Sequence, residues 1–184
     1  MKHARDYSVI DVMKDGTRVT IRAARPGDRN RFLEAFRSLK KDSIYTRFFS
    51  HRSDLSDDEI DRAVNVDFVR EVALVVTTQT GRGEIIIASG RYIATDRAGT
   101  ERSAELAFVV EEDYQGRGIA SRLLAHLAVL ARHQSLTQFE ADVLSQNRAM
   151  LAVFKRGGFP MEQRRDGSVI HVTLELATDN SGAA

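Results

Sequence analysis

The sequence predicts an α+β domain built on one mixed central sheet of about seven strands flanked by helices. Three observations carry the prediction. Alternating apolar stretches and amphipathic stretches follow one another in the order β-α-α-β-β-β-α-β-α-β-β. An apolar strand at residues 103–111 runs through a two-glycine turn straight into a long amphipathic segment, residues 117–133. Near the end of the chain, two strand-like runs flank Asp166-Gly167, a favoured two-residue hairpin turn.

The elements follow in order. Residues 1–16 are polar and mixed, and read as a loose N-terminal arm. Residues 17–23 alternate and read as the first strand. Arg25-Pro26-Gly27-Asp28 is a turn that opens a helix with Phe32, Leu33 and Phe36 on its apolar face. A second helical segment is expected at 42–49. Ser56-Asp57-Asp58-Glu59 has the spacing of a capping box, with Leu55 placed as a staple. Residues 71–78 and 84–95 read as paired strands around Gly81-Arg82-Gly83. After the glycine turn and its helix come a strand at 137–144, a helix at 146–156, and hairpin strands at 159–165 and 168–176. The tail, 177–184, is small and polar and is expected to be disordered. Neither repeats nor a linker divides residues 17–176, which read as a single domain.

Composition narrows the function. At 184 residues, 42% apolar and 29% charged, the chain suits an ordinary globular core. A net charge of +1 provides no global field toward nucleic acid or membrane. Residues 1–52 are the exception, with 13 Lys/Arg against 6 Asp/Glu. That excess reads either as solvated helix faces or as a surface attracting an acidic protein or ligand phosphates. With no long apolar run and no leader pattern, the expected location is cytoplasmic. The absence of cysteine excludes thiolate metal sites and a cysteine nucleophile. Among the five histidines, His126 lies in the apolar stripe of its helix and reads as half-buried structure. No pair has metal-ligand spacing, so no metal is expected.

The glycine turn is the most informative stretch. Glycine permits positive φ and close approach of a ligand to the backbone. The leading amides of the following helix have no partner within it and, with the helix dipole, favour phosphate oxygens. No Gly-Lys-Ser/Thr follows, and the spacing is not that of a dinucleotide fingerprint.

The run Gln115-Gly116-Arg117-Gly118-Ile119-Ala120 resembles the pyrophosphate loop of the GNAT superfamily of N-acyltransferases, Gln/Arg-x-x-Gly-x-Gly/Ala. Both flanks are similar too. Ser103-Ala104-Glu105-Leu106-Ala107-Phe108-Val109-Val110 looks like the family's fourth strand. Asn147 opens a helix that ends in Gly158-Phe159, like the second signature. The resemblance implies a GNAT-like fold with strands four and five splayed apart and acetyl-CoA lying between them. The phrases around Arg22–Asp28, Tyr45–Phe49 and Asp67–Leu74 resemble the GNAT domain of Pat-type protein lysine acetyltransferases.

The resemblance also assigns roles. Acyl transfer to an amine requires deprotonation of the amine, polarisation of the thioester carbonyl and departure of a thiolate. Glu105 is the expected general base, a mid-strand carboxylate whose apolar neighbours should desolvate it. A backbone amide at Phe108, Val109 or Val110 is expected to polarise the carbonyl. Gln115, Gly116, Arg117, Gly118, Ile119 and Ala120 are expected to hold the pyrophosphate, and Ser121 adds a hydroxyl. Arg117 either pairs with a phosphate or faces solvent. Asn147 caps its helix and contacts the CoA arm. Where many relatives carry a tyrosine acid, this chain has Phe154, so the thiolate leaves unprotonated or by way of water. Tyr45 and Arg47 border the expected acceptor site.

Without cysteine, transfer is expected to be direct. The acceptor implied by the resemblance is a protein lysine, with an acyl-CoA synthetase as the candidate protein. The alternatives are a small amine, amino acid or aminoglycoside, and a non-catalytic acyl-CoA-binding module.

Overall fold

The computed structural model describes residues 4–40, 55–95 and 102–176. The described strands form one open sheet in the order β1-β2-β3-β4-β5-β6-β8-β7. They are β1 (Ser8–Val12), β2 (Arg18–Ala23), β3 (Glu71–Thr80), β4 (Gly83–Ala94), β5 (Ser103–Val110), β6 (Gln138–Leu144), β7 (Met161–Asp166) and β8 (Val169–Glu175). Every neighbouring pair is antiparallel except β5 and β6, which run parallel. The α-helices among the described residues are α1 (Arg29–Ser38), α2 (Asp57–Val64), α3 (Ile119–His133) and α4 (Arg148–Arg156).

Strand alternation sorts the side chains into two layers. On one face Leu74, Tyr92, Leu106 and Phe108 join Leu123, Leu124 and Leu127 of α3 and Phe154 of α4 in the main core. On the other face Ala73, Val75 and Ile86 pack with Val66, and with Phe32 and Ala35 of α1. The sheet therefore lies between α3–α4 behind and α1–α2 in front.

Three expectations are corrected. Residues 8–12 are not a loose arm. They form β1, an antiparallel edge strand on β2, and the Arg122 guanidinium ties α3 to Asp11 in it. Among the described residues the sheet has eight strands, in line with the expected mixed sheet of about seven. The helix after the glycine turn begins at Ile119, two residues later than the apolar pattern suggests, because Gly118 has φ +87° and cannot continue a right-handed helix. The C-terminal hairpin pairs Asp166 with Val169, so its two-residue loop is Gly167-Ser168, with Gly167 at φ +56°.

Other local signals are borne out. Ser56 Oγ accepts from the Glu59 amide at 3.3 Å, and Glu59 Oε2 accepts from the Ser56 amide at 2.9 Å. His126 is half-buried on α3, contacts the Tyr7 hydroxyl, and has its pKa lowered by burial. The predicted helix at 42–49 and the tail at 177–184 lie outside the described residues.

Candidate functional site

The site begins where the parallel ladder ends. β5 and β6 pair only as Ser103↔Gln138, Ala104↔Phe139 and Glu105↔Glu140. Beyond those three rungs both strands continue, to Val110 and Leu144, without pairing. Between them opens a cleft of about 220 Å³ lined by Glu105–Phe108, Ala141–Val143, Asn147, Met150 and Phe154.

Backbone alternation decides which amides face this cleft. At one end of β5 the Glu111 amide donates to Ile87 O of β4. At the other, the Thr95 amide donates to Ser103 O. Odd-numbered residues of β5 therefore bond to β4, and the amides of Phe108 and Val110 point toward β6. Val109, expected as a third candidate, turns its amide to Ser89 of β4 and its side chain to the front face. The Val110 carbonyl accepts from Gln115 Nε2 at 3.0 Å, which ties the glycine turn to the end of β5.

Gly116 (φ +73°) and Gly118 (φ +87°) are both left-handed, and a Cβ on either would meet nothing within 4 Å. Open space, not crowding, surrounds this backbone. No backbone amide from Gly116 to Ser121 donates to another backbone group among the described residues. Ile119 anchors the helix in the core. Ala120 and the half-buried Ser121 complete its first turn. Arg117 is half-buried among protein groups. It pairs with Asp15 Oδ2 at 2.5 Å, donates to Asp113 O at 2.6 Å and lies over the Tyr114 ring.

At the far wall, Asn147 Oδ1 accepts from the Met150 amide at 3.2 Å and caps α4 while lining the cleft. Phe154 is 1% exposed, its ring 6.2 Å from that of Phe108. The cleft wall thus has a phenyl ring at this position and no hydroxyl.

Glu105 corrects another expectation. It borders the cleft but is exposed, not desolvated. Its strand neighbours on the same face are Ala107 and, across β4 and β6, Ile93 and Glu140, which leave it open to water. Two other carboxyls on that face are pushed up by burial. Burial raises Glu71 against the charge of Arg91, which bonds it at 3.0 Å. Burial, then Asp113 and Glu112, raise Glu111, opposed by the Asp113 amide and weakly by Lys40. Both border a second cavity of about 380 Å³ between the sheet and α1–α2, lined largely by apolar side chains such as Phe32, Phe36, Ile86 and Val109. Sequence reasoning passed over Glu71 and Glu111. Their alternation with the apolar residues of the front face was the available signal.

The two cavities share a wall. Ala107 of β5 lines both. Just before α1, Arg22 donates to both Asp28 oxygens at 2.7 Å, and Glu84 joins from the side. Tyr45 and Arg47 lie outside the described residues.

A model of the acetyltransferase (GNAT) family matches residues 34–159, more than half of the chain. The chain belongs to the GNAT family. It is therefore an acetyl-CoA-dependent acetyltransferase of GNAT type. Acetyltransferase Pat of Mycolicibacterium smegmatis is 33% identical over 138 residues, covering 75% of this chain and 40% of its own length. Acetyltransferase PA5475 of Pseudomonas aeruginosa is 27% identical over 164 residues, covering 88% of this chain and 87% of its own. The solved GNAT domain of S. lividans PAT superposes with a TM-score of 0.81 at 30% identity, covering 91% of this chain and 96% of that domain. The chain thus spans well under half of Pat but nearly all of PA5475. The splayed β5–β6 pair of this GNAT member matches the expected architecture.

Among the described residues no helix is long and apolar enough to cross a membrane. None of the His, Asp and Glu residues described form a group of three placed to hold a metal.

Proposed function

We propose that the chain transfers the acetyl group of acetyl-CoA to the ε-amine of a lysine in a folded protein. Glu105 acts as general base through water. The observation that carries the reading is the shared wall at Ala107. Pantetheine in the β5–β6 cleft, bonded to the amides of Phe108 and Val110 as an added strand, sets a thioester beside the front cavity. The first turn of α3 and the Gly116–Gly118 backbone hold the pyrophosphate, while Gln115 fixes the turn and Ser121 and Asn147 flank the CoA arm. An amine entering from the front meets the carbonyl directly, and no thiol exists to carry an acetyl-enzyme. The exposure of Glu105 suits a base that takes its proton through water rather than by contact.

Support for a protein lysine comes from the similarity to Pat and to the S. lividans PAT domain. The cationic excess of residues 1–52 favours encounter with an acidic protein face over a free ammonium ion. Thiol release from acetyl-CoA, followed against lysine peptides, an acyl-CoA synthetase from the same cell and free amines at matched concentration, tests the proposal. A far higher kcat/KM for a small amine than for any protein lysine replaces it with small-amine acetylation.

A further inference from the structure

The front cavity carries five charged residues: Glu59, Arg62, Glu71, Arg91 and Glu111. Four have evident occupations. Glu71 and Arg91 neutralise one another at 3.0 Å. Glu59 closes the capping box of α2. Arg62 is exposed on the same helix. Glu111 differs. Its carboxyl takes the Asp113 amide, but its buried Oε2 atom has no hydrogen-bond partner among the described residues. A buried carboxylate oxygen without a donor is costly unless a cation or donor arrives to meet it.

The surroundings say which kind of cation. Phe32, Phe36, Ala63, Ile86 and Val109 offer a sleeve suited to methylenes, not to a hydrated ion or a polyhydroxylated ring. Glu111 directly follows β5, three residues beyond Phe108, as Glu105 stands three residues before it. Each is about 10 Å of strand from that amide. Two carboxylates thus flank the expected thioester position, one half-buried and one open to water.

We propose that Glu111 receives the acceptor's ammonium group while the apolar sleeve holds its alkyl stem, so that the chamber selects a lysine side chain. The inference rests on the N-acetyltransferase reading above and names its specificity residue. Glu111 binds the cation on entry; the amine then advances along the sleeve to the thioester, and only there does its proton leave by water toward Glu105. Burial and the neighbouring acids that push the Glu111 carboxyl up make it a receptor that water satisfies poorly.

The test compares wild type with Glu111→Gln, which keeps the shape and removes the charge. Two peptides of equal reach are used, one with a lysine and one with an aminooxy side chain, neutral near pH 7.5. Loss of a buried charge-assisted bond should raise KM for the lysine peptide by about 10- to 100-fold, with kcat little changed. KM for the aminooxy peptide and the affinity for CoA should stay the same. Calorimetric titration of the lysine peptide into the enzyme–CoA complex reads the same contact without turnover. An equal KM in both variants, or an equal rise for both peptides, overturns the assignment. If wild type acetylates other amines but neither binds nor acetylates the lysine peptide, this inference falls and N-acetyltransfer stands. If the peptide binds in a Glu111-dependent way and is never acetylated, this inference stands and lysine transfer falls.

Discussion

Glu105 and Glu140 face each other across the last rung of the β5–β6 ladder. The carboxylate expected to draw the proton from the amine therefore sits at the apex of the splay, where the two strands part. Its backbone is held by pairing on both sides, while its side chain stands in water. Glu105→Gln should lower kcat by about 10²–10⁴-fold and leave CoA affinity unchanged. Initial rates over a grid of both substrates should intersect, as for a ternary complex. A ping-pong pattern, or a variant with wild-type kcat, contradicts the role.

Gly118 tests the pyrophosphate loop. With φ +87° and open space around it, alanine there meets only the backbone penalty of about 1–2 kcal/mol. Gly118→Asp adds a carboxylate where phosphate oxygens are expected. The dissociation constant for CoA should rise by about tenfold or more in the aspartate variant, beyond any change in the alanine variant. Calorimetry on folded protein measures both, and an unaltered affinity in the aspartate variant sinks the assignment.

Arg22 and Asp28 are nearly excluded from water, with side chains 6% and 3% exposed. Burial would push the Asp28 carboxyl up, but the Arg22 hydrogen bonds and charge and the Arg25 amide overcome it and hold it below the usual range. Asp28→Asn leaves a buried guanidinium short of its partner and should cost about 3–5 kcal/mol in urea unfolding. A loss under about 1 kcal/mol would show that Glu84 alone suffices for Arg22.

Acid stability follows from the same group and from Asp67. Burial opposes ionisation of Asp67, but the amides of Glu71, Val69 and Arg70 outweigh it and lower its pKa. Both aspartates bind fewer protons folded than unfolded. Their contribution is present above the ordinary carboxylate pKa and is lost as pH falls through the depressed folded values, below about pH 4. Glu71 and Glu111, raised by burial, have the opposite sign and lose their contribution as pH climbs through their folded values. Denaturation followed from pH 6 to pH 2.5 should show a steep acid limb that Asp28→Asn flattens. An unchanged limb in that variant assigns the acid sensitivity elsewhere.

What the sequence made legible was local. The Gly116–Gly118 turn, the Ser56 cap and the Asn147 cap declare themselves within a few residues, because each satisfies backbone groups close in sequence. The parallel pairing of β5 with β6 has no local mark, and only the family resemblance pointed to the splay. Residues 8–12 failed as a strand in the sequence because an edge strand needs one partner only, and Val9, Ile10 and Val12 remain exposed. The openness of Glu105 was misjudged because strand alternation tells which face a side chain takes, not what covers that face. The Arg22–Asp28 clamp explains physically why the phrase containing both residues reads as a unit.

Three rungs join β5 to β6, against seven between β4 and β5 and seven between β6 and β8. Mechanically the sheet is two stiff plates, β1–β5 and β6–β8, sewn along a short seam and backed by α3 and α4. Such a seam is where local opening should start, and amide exchange at Ala104, Phe139 and Glu140 should outpace that of the plate centres. A substrate that bonds to both strand margins acts as a stitch across the seam. By mass action it would add about 2.7 kcal/mol at a hundred times its dissociation constant. The enzyme's resistance to unfolding would then track the cell's supply of the molecule it consumes.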